Sequence, residues 1–177
     1  MPFISPADIK VTSRQIPRWD HIPNTSIHSK PLMIYHQAFN ASSSDLAARF
    51  EEVGEVMPQW VYSMYRQTHY HSTTHEVLGV VDGRARLCFG GERNPDRFEP
   101  TVEKGDLIIV PAGVGHRLLE DIGNGREFTM VGAYPRGKEW DMCYGQPGEE
   151  DKARNIQALD WFQRDPLFGS DGPVTHA

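Results

Sequence analysis

The chain has 177 residues and 20.1 kDa, enough for one domain with a real hydrophobic core. Its 18 basic and 24 acidic residues give a net charge of −6, and the basic residues are scattered. No basic stripe offers itself to a phosphate backbone, which argues against nucleic acid as a partner. Apolar runs such as "LIIVPAGVG" fall far short of the roughly 20 residues that a membrane span needs. The opening "MPFISPADIKV" lacks the basic and then apolar regions of a secretory signal. A cytoplasmic protein is expected, with Cys88 and Cys143 as free thiols.

Residues 1 to about 40 are rich in proline and polar residues, with short extended pieces such as "PLMIYHQAF". "SSSDLAARFEEVGEV" predicts a helix: its serines offer an N-cap, Leu46, Phe50 and Val53 recur at helical spacing, and Gly54 can end it. From Trp60 the pattern changes to strands. "WVYSMYRQTHYH" is aromatic and β-branched with interleaved polar residues. "EVLGVVDGRARLCFGG" reads as two strands joined by a tight hairpin turn at Asp82-Gly83. "GDLIIVP", "GHRLLED" and "REFTMVGAY" follow, each bounded by Gly, Pro or Asn. Many short strands without alternating helices imply an all-β, closed or sandwiched antiparallel architecture. The expected organisation is an N-terminal arm and helix over 1–57, a barrel core over 58–135, and a C-terminal extension over 136–177 that wraps the barrel. One helical turn is expected in "EEDKARN".

The densest chemistry lies in "HYHSTTHE", residues 69–76. On a strand, residues two apart face the same side, so His69 and His71 project together, with Tyr65 and Gln67 on the same face. Glu76 has the opposite parity, but "STT" is a natural place for a bend that resets the facing. A tighter bend would bring His75 in instead. Two imidazoles and a carboxylate suit a divalent transition metal, and His116 in "PAGVGHRLL" can supply a fourth ligand.

At this point the spacing resembles a known family. His69-x-His71-x4-Glu76-x6-Gly83 is similar to the first signature of the cupin superfamily, and Gly105-x5-Pro111-x-Gly113-x2-His116 to its second. Ser63 stands where the first signature opens with glycine, and Glu120 where the second closes with asparagine. The resemblance implies a double-stranded β-helix (jelly-roll) barrel, with one divalent metal (Fe, Mn, Ni or Zn) held by His69, His71, Glu76 and His116. It looks like a small single-domain, metal-binding cupin of an uncharacterised branch.

Such a site implies a metal-dependent enzyme acting on a small oxygen-rich molecule, dioxygenase-like in the leading reading. A redox-neutral isomerase, lyase or decarboxylase is the alternative, and a non-catalytic small-ligand binder is the reading from another class. Glu76 and Glu120, which shares parity with His116, are the candidate catalytic bases. His75, Tyr65 and Gln67 are candidates to support the metal ligands or touch substrate. Pairing of edge strands or of the N-terminal arm would give a homodimer.

Overall fold

A computed structural model describes residues 2–177. Nine strands dominate: β1 (Lys10–Arg14), β2 (Leu32–His36), β3 (Val56–Tyr62), β4 (Glu76–Asp82), β5 (Arg84–Phe89), β6 (Thr101–Glu103), β7 (Leu107–Val110), β8 (His116–Asp121) and β9 (Thr129–Pro135). Two helices accompany them, α1 (Ser43–Val53) and α2 (Glu150–Arg154). The strands form a six-stranded sheet in the order β1-β2-β7-β4-β9-β3 and a three-stranded sheet in the order β6-β5-β8. All of their pairings are antiparallel. The architecture is a jelly-roll barrel. β1 and β2, from the segment read as an arm, are strands of the larger sheet, and the helical turn expected in "EEDKARN" is α2.

The central strands of the larger sheet, β2, β7, β4 and β9, are buried on both faces, and strand alternation divides their side chains between two cores. Ile34, Leu78, Val80, Ile108, Val110 and Met130 point into the barrel, where they meet Ala85, Leu87, Phe89, Val102 and Leu118 of the smaller sheet. Their neighbours Met33, Tyr35, Val77, Leu107, Ile109 and Val131 point the other way, against Leu46 and Phe50 of α1 and Phe162, Leu167 and Val174 of the C-terminal extension. A sheet covered on both faces explains runs such as "LMIY" and "LIIV", in which every residue is apolar.

Helix α1 forms as its sequence requires. The Ser42 hydroxyl accepts the Asp45 N–H (3.1 Å), and Gly54, in the left-handed region, returns its N–H to Phe50 O. Its buried face rests on Gly79, where a side chain would run into Leu46.

Asp82-Gly83 is not the turn of a hairpin. β4 pairs with β7 and β9, whereas β5 pairs with β6 and β8, so at Gly83 the chain leaves one sheet for the other. The local signal is real: Gly83 has φ of 76° and its N–H bonds to Asp82 Oδ1 (2.9 Å). A turn dipeptide redirects the chain equally well at a barrel corner, and here apolar partners in two sheets outcompete pairing with each other. The strand expected over 60–71 also stops early, with β3 ending at Tyr62. β3 carries Pro58 and a bulge beside it, both tolerated because it is an edge strand. No helix among the described residues is long and apolar enough to cross a membrane.

The α1 contact predicts a specific coupling. Leu46→Ala should cost about 2–5 kcal/mol by opening a cavity, and Gly79→Ala about 1–3 kcal/mol by overpacking. The double variant should lose less than the sum, because each change makes room for the other. Additive losses in denaturant melts would disprove the contact.

Candidate metal centre

Residues 63–75 form an irregular segment that crosses one end of the barrel. It is tied down by backbone pairing of His69 with His116 and of Tyr70 with Cys143. These two bridges place His69 and His71 beside the start of β8, while Glu76 enters as the first residue of β4. On that strand Glu76 shares parity with Leu78 and Val80, so its carboxyl points into the barrel.

The nitrogens that could bind a metal on His69, His71 and His116 all lie within 4.8 Å of one another, and all three residues are buried. Their tautomers are set by main-chain carbonyls. The Nδ1 of His69 lies 2.9 Å from Gln67 O, that of His71 2.6 Å from Asp141 O, and that of His116 2.9 Å from Val114 O. A carbonyl can only accept, so each Nδ1 carries a proton, and in the neutral ring Nε2 is the nitrogen with the free lone pair. Glu76 Oε2 approaches two of these nitrogens, standing 3.3 Å from His71 Nε2 and 3.3 Å from His116 Nε2. Neither His71 Nε2 nor Glu76 Oε2 has a hydrogen-bond partner among the described residues, although both are buried. Buried polar atoms are costly without partners, and two ligand atoms at right angles on one metal sit about 3 Å apart. Three lone pairs and an unpartnered carboxylate oxygen at this spacing fit a divalent cation.

Electrostatics distinguish His69 from His71. Burial, and then neighbouring His116, hold His69 down at about 3, so it is neutral at physiological pH. Burial opposes the charged forms of His71 and Glu76, but their mutual attraction wins: His71 is raised, and Glu76, with His116 Nε2 also 3.3 Å away, lies well below the ordinary carboxylate range. Glu76 Oε1 is steadied separately. It accepts from the Tyr134 hydroxyl (2.9 Å), which accepts in turn from Trp60 Nε1 (2.8 Å). Burial and the Glu76 charge push the Tyr134 phenol upward, keeping it a donor.

The C-terminal extension completes the cluster. The carbonyl that orients His71 belongs to Asp141, whose carboxylate accepts from the Ser72 N–H (2.7 Å) and the Ser72 hydroxyl (2.5 Å). Burial pushes that carboxyl up, but the Ser72 bonds outweigh it and hold it below its usual range. The "STT" bend thus clamps the extension onto the site. Above the cluster opens a cavity of about 510 Å³, bordered among others by Trp60, Tyr62, Met64, Tyr65, Tyr134 and Trp140.

Two of the sequence candidates, Glu120 and Gln67, stand elsewhere than expected. Glu120 lies outside the cavity, exposed and 3.5 Å from Arg86. A β-bulge explains it: Leu118 pairs with Leu87 and Glu120 with Arg86, so unpaired Leu119 reverses the facing beyond it. Gln67 is exposed and serves the site through its carbonyl alone, because no strand carries parity past Tyr62. Tyr65 is exposed at the mouth of the cavity, its ring 5.6 Å from that of His69. His75 faces the opposite core, against Trp161 (4.9 Å) and Phe162 (5.6 Å). Its Nδ1 accepts from Ala112 N–H and its Nε2 bonds Asp160 O, so both nitrogens are engaged. Tyr134, Trp60 and Asp141 were not foreseen as site residues. Only Tyr134 left a trace, as a polar-tipped residue in an otherwise apolar strand.

A Cupin domain family matches residues 58–131, spanning both histidine segments. An uncharacterized protein, YjlB, of Bacillus subtilis strain 168 is 34% identical over 145 residues, which cover 81% of this chain and 83% of that protein. The chain belongs to the cupin superfamily. Among solved structures, two mutants of Bacillus subtilis oxalate decarboxylase OxdC share 19% identity with this cupin over 64% of its length, with TM-scores of 0.39 and 0.40. This cupin spans about a quarter of those chains, 27% and 28%.

Two pH effects follow. Protons compete with a metal for these imidazoles, so affinity should fall as pH drops from about 7.5 to about 5, with each metal bound at the lower pH displacing a proton. Calorimetry in buffers of different ionisation enthalpy measures that proton, and His116→Ala should flatten the dependence. Without metal, the raised His71 should contribute stability below its unfolded value of about 6.5 and lose it as pH rises through its folded value.

His75 works in the opposite direction. Burial, and then His28, depress it to about 3. Its contribution is therefore complete above about 6.5 and lost as pH falls toward 3. Metal-free His75→Asn should show a shallower loss of melting temperature between pH 7.5 and 5 than the metal-free parent. An equal slope would remove His75 from the acid response.

Proposed function

We propose that this cupin is a metal-dependent enzyme that holds one divalent transition metal through His69, His71, Glu76 and His116. In this reading it acts on a small oxygen-rich molecule as a dioxygenase-like oxidoreductase. The observation that carries the reading is the convergence of three tautomer-locked Nε2 atoms and an unpartnered Glu76 oxygen at the floor of an open cavity. When bound, such a metal supplies Lewis acidity and, in the case of iron, the capacity to engage dioxygen. The chain's own groups do the rest. Glu76, its carboxyl held well below the usual range, is the candidate base, and Tyr134 keeps that carboxyl oriented. Leu78, Met64 and Met130 keep that part of the cavity apolar.

The position of Glu120 bears on the choice of chemistry. An isomerase, or a lyase that eliminates across a C–C bond, moves protons to and from carbon and is served by a positioned acid and base. With Glu120 outside, the titratable groups lining the cavity are the four ligand candidates and three tyrosines. Oxygen insertion makes less demand on such groups, which favours the dioxygenase-like reading. Residues 1–57 add β1 and β2 to the larger sheet and α1 to its cover, and residues 136–177 supply packing and the Asp141 carbonyl that orients His71. The free edges of β1 and β3 allow a homodimer.

The test is elemental analysis of tag-free protein reconstituted with Fe(II), Mn, Ni or Zn, followed by oxygen uptake against diketones, thiols and hydroxy acids. Near-stoichiometric metal is expected, with loss in His69→Ala, His71→Ala and His116→Ala and retention in Glu120→Gln. Oxygen consumption with the iron form supports the dioxygenase reading, and substrate conversion without it the redox-neutral one. Ligand-induced thermal shifts without turnover would mean a binding protein. Light scattering of the same sample reads the dimer against the 20.1 kDa monomer.

A further inference from the structure

The walls of the cavity describe its occupant more closely than the ligand cluster does. Val61, Tyr62, Tyr65 and Trp140 are 55%, 56%, 55% and 44% exposed, and all four border the cavity. Only two other large hydrophobic side chains among the described residues, Trp19 and Tyr144, are comparably exposed. Such a concentration of apolar surface at one concave mouth is the mark of a binding site. The surface is largely aromatic and partly ordered in advance. Trp140 stacks on Tyr134, with ring centres 5.0 Å apart and planes 15° from parallel, and Tyr62 lies 5.9 Å from Tyr65. The stack joins the mouth to the floor, because Tyr134 is the residue that holds Glu76.

What the lining lacks among the described residues is equally informative. No arginine or lysine borders the cavity. A divalent metal beside the Glu76 carboxylate leaves one net positive charge, so a small dicarboxylate or a phosphorylated compound brings at least one negative charge more than the site balances. No guanidinium or ammonium would meet that charge, and leaving water for apolar walls would disfavour it strongly. A flat ring, in contrast, gains from stacking on Trp140 and the tyrosines.

We infer that the cavity takes a flat, apolar molecule, uncharged or singly charged, that presents an adjacent pair of oxygens at one end, and that it discriminates against small polyanions. The oxygen pair faces the histidine cluster, and the apolar body lies along Trp140 and Tyr62 toward the mouth. This deepens the metal reading and rests on it only for the oxygen-bearing end; the preference for an apolar body stands on the walls alone.

Nitrocatechol, a coloured flat chelator, its dimethyl ether, which cannot chelate, and oxalate separate the two ends. They are titrated into Zn-loaded protein and metal-free protein, with elemental analysis alongside. In the Zn form, nitrocatechol should bind at least tenfold more tightly than oxalate. Tyr62→Ala, away from Tyr134, should erase much of that advantage while leaving metal content and oxalate affinity unchanged, and Trp140→Ala should reduce the advantage in the same direction. Oxalate binding as tightly as nitrocatechol, or neither variant mattering, overturns the inferred class even if one metal per chain is found. If no metal is retained, the metal reading fails by itself, and the dimethyl ether decides the rest. Binding of the ether that Trp140→Ala weakens supports the apolar body, and its failure to bind removes it. Sedimentation showing that the aromatic mouth is closed by a second copy, released by Trp140→Ala, would also overturn the inference.

Discussion

Three hydrogen bonds from imidazole Nδ1–H groups to main-chain carbonyls are the constraint on which the site depends. Each makes the opposite nitrogen of its ring the one available to a metal and turns it toward a common point. Main-chain carbonyls are reliable anchors because they titrate at no ordinary pH and move only with the backbone. The three belong to distant parts of the chain: Gln67 in the segment after β3, Val114 in the loop before β8, and Asp141 in the C-terminal extension. Any arrangement that displaced one of these pieces would release a ring.

That dependence gives the two-sided sheet its purpose. A sheet open to water on one face would need only the barrel core. Here the second face is covered by α1 and by Phe162, Leu167 and Val174, which holds the extension firmly enough for Asp141 to serve as an anchor. Ser72 and Thr73 complete the attachment by bonding Asp141 and Glu139. The extension is therefore joined to the ligand cluster in the same way that α1 is joined to the sheet at Gly79: packing supplies the hold, and a few polar or steric contacts supply the register. His75 belongs to this second core. Adjacent to Glu76 in the chain, it lies across the sheet from it, and the alternation that sends the carboxyl into the barrel sends the imidazole against Trp161.

The burial of ligand candidates also accounts for the contrast between the floor and mouth of the cavity. At the floor, four polar side chains are almost completely removed from water and so must satisfy one another or a cation. At the mouth, aromatic side chains are left in water that they would ordinarily avoid. Both features cost stability in the isolated chain and both are relieved by a ligand, which is the common signature of a surface shaped for binding.

Sequence spacing alone determined much of this protein: the barrel class, the helix capped by Ser42 and stopped by Gly54, and a set of histidines and a carboxylate repeated at a family's intervals. These are properties of local chemistry and strand periodicity, which survive in a linear reading. It went astray wherever periodicity was interrupted or partners were remote. The bulge at Leu119 turned Glu120 outward, the end of β3 at Tyr62 cancelled the parity of Gln67, and Gly83 made a corner between sheets where a hairpin turn was expected. Asp141, Tyr134 and Trp60 became site residues only through contacts spanning about half the chain or less, with no motif to mark them. Tertiary structure alone decided these, because the facing of a side chain beyond a break in a strand, and the carbonyl that will lie against a given imidazole, depend on how separate segments pack.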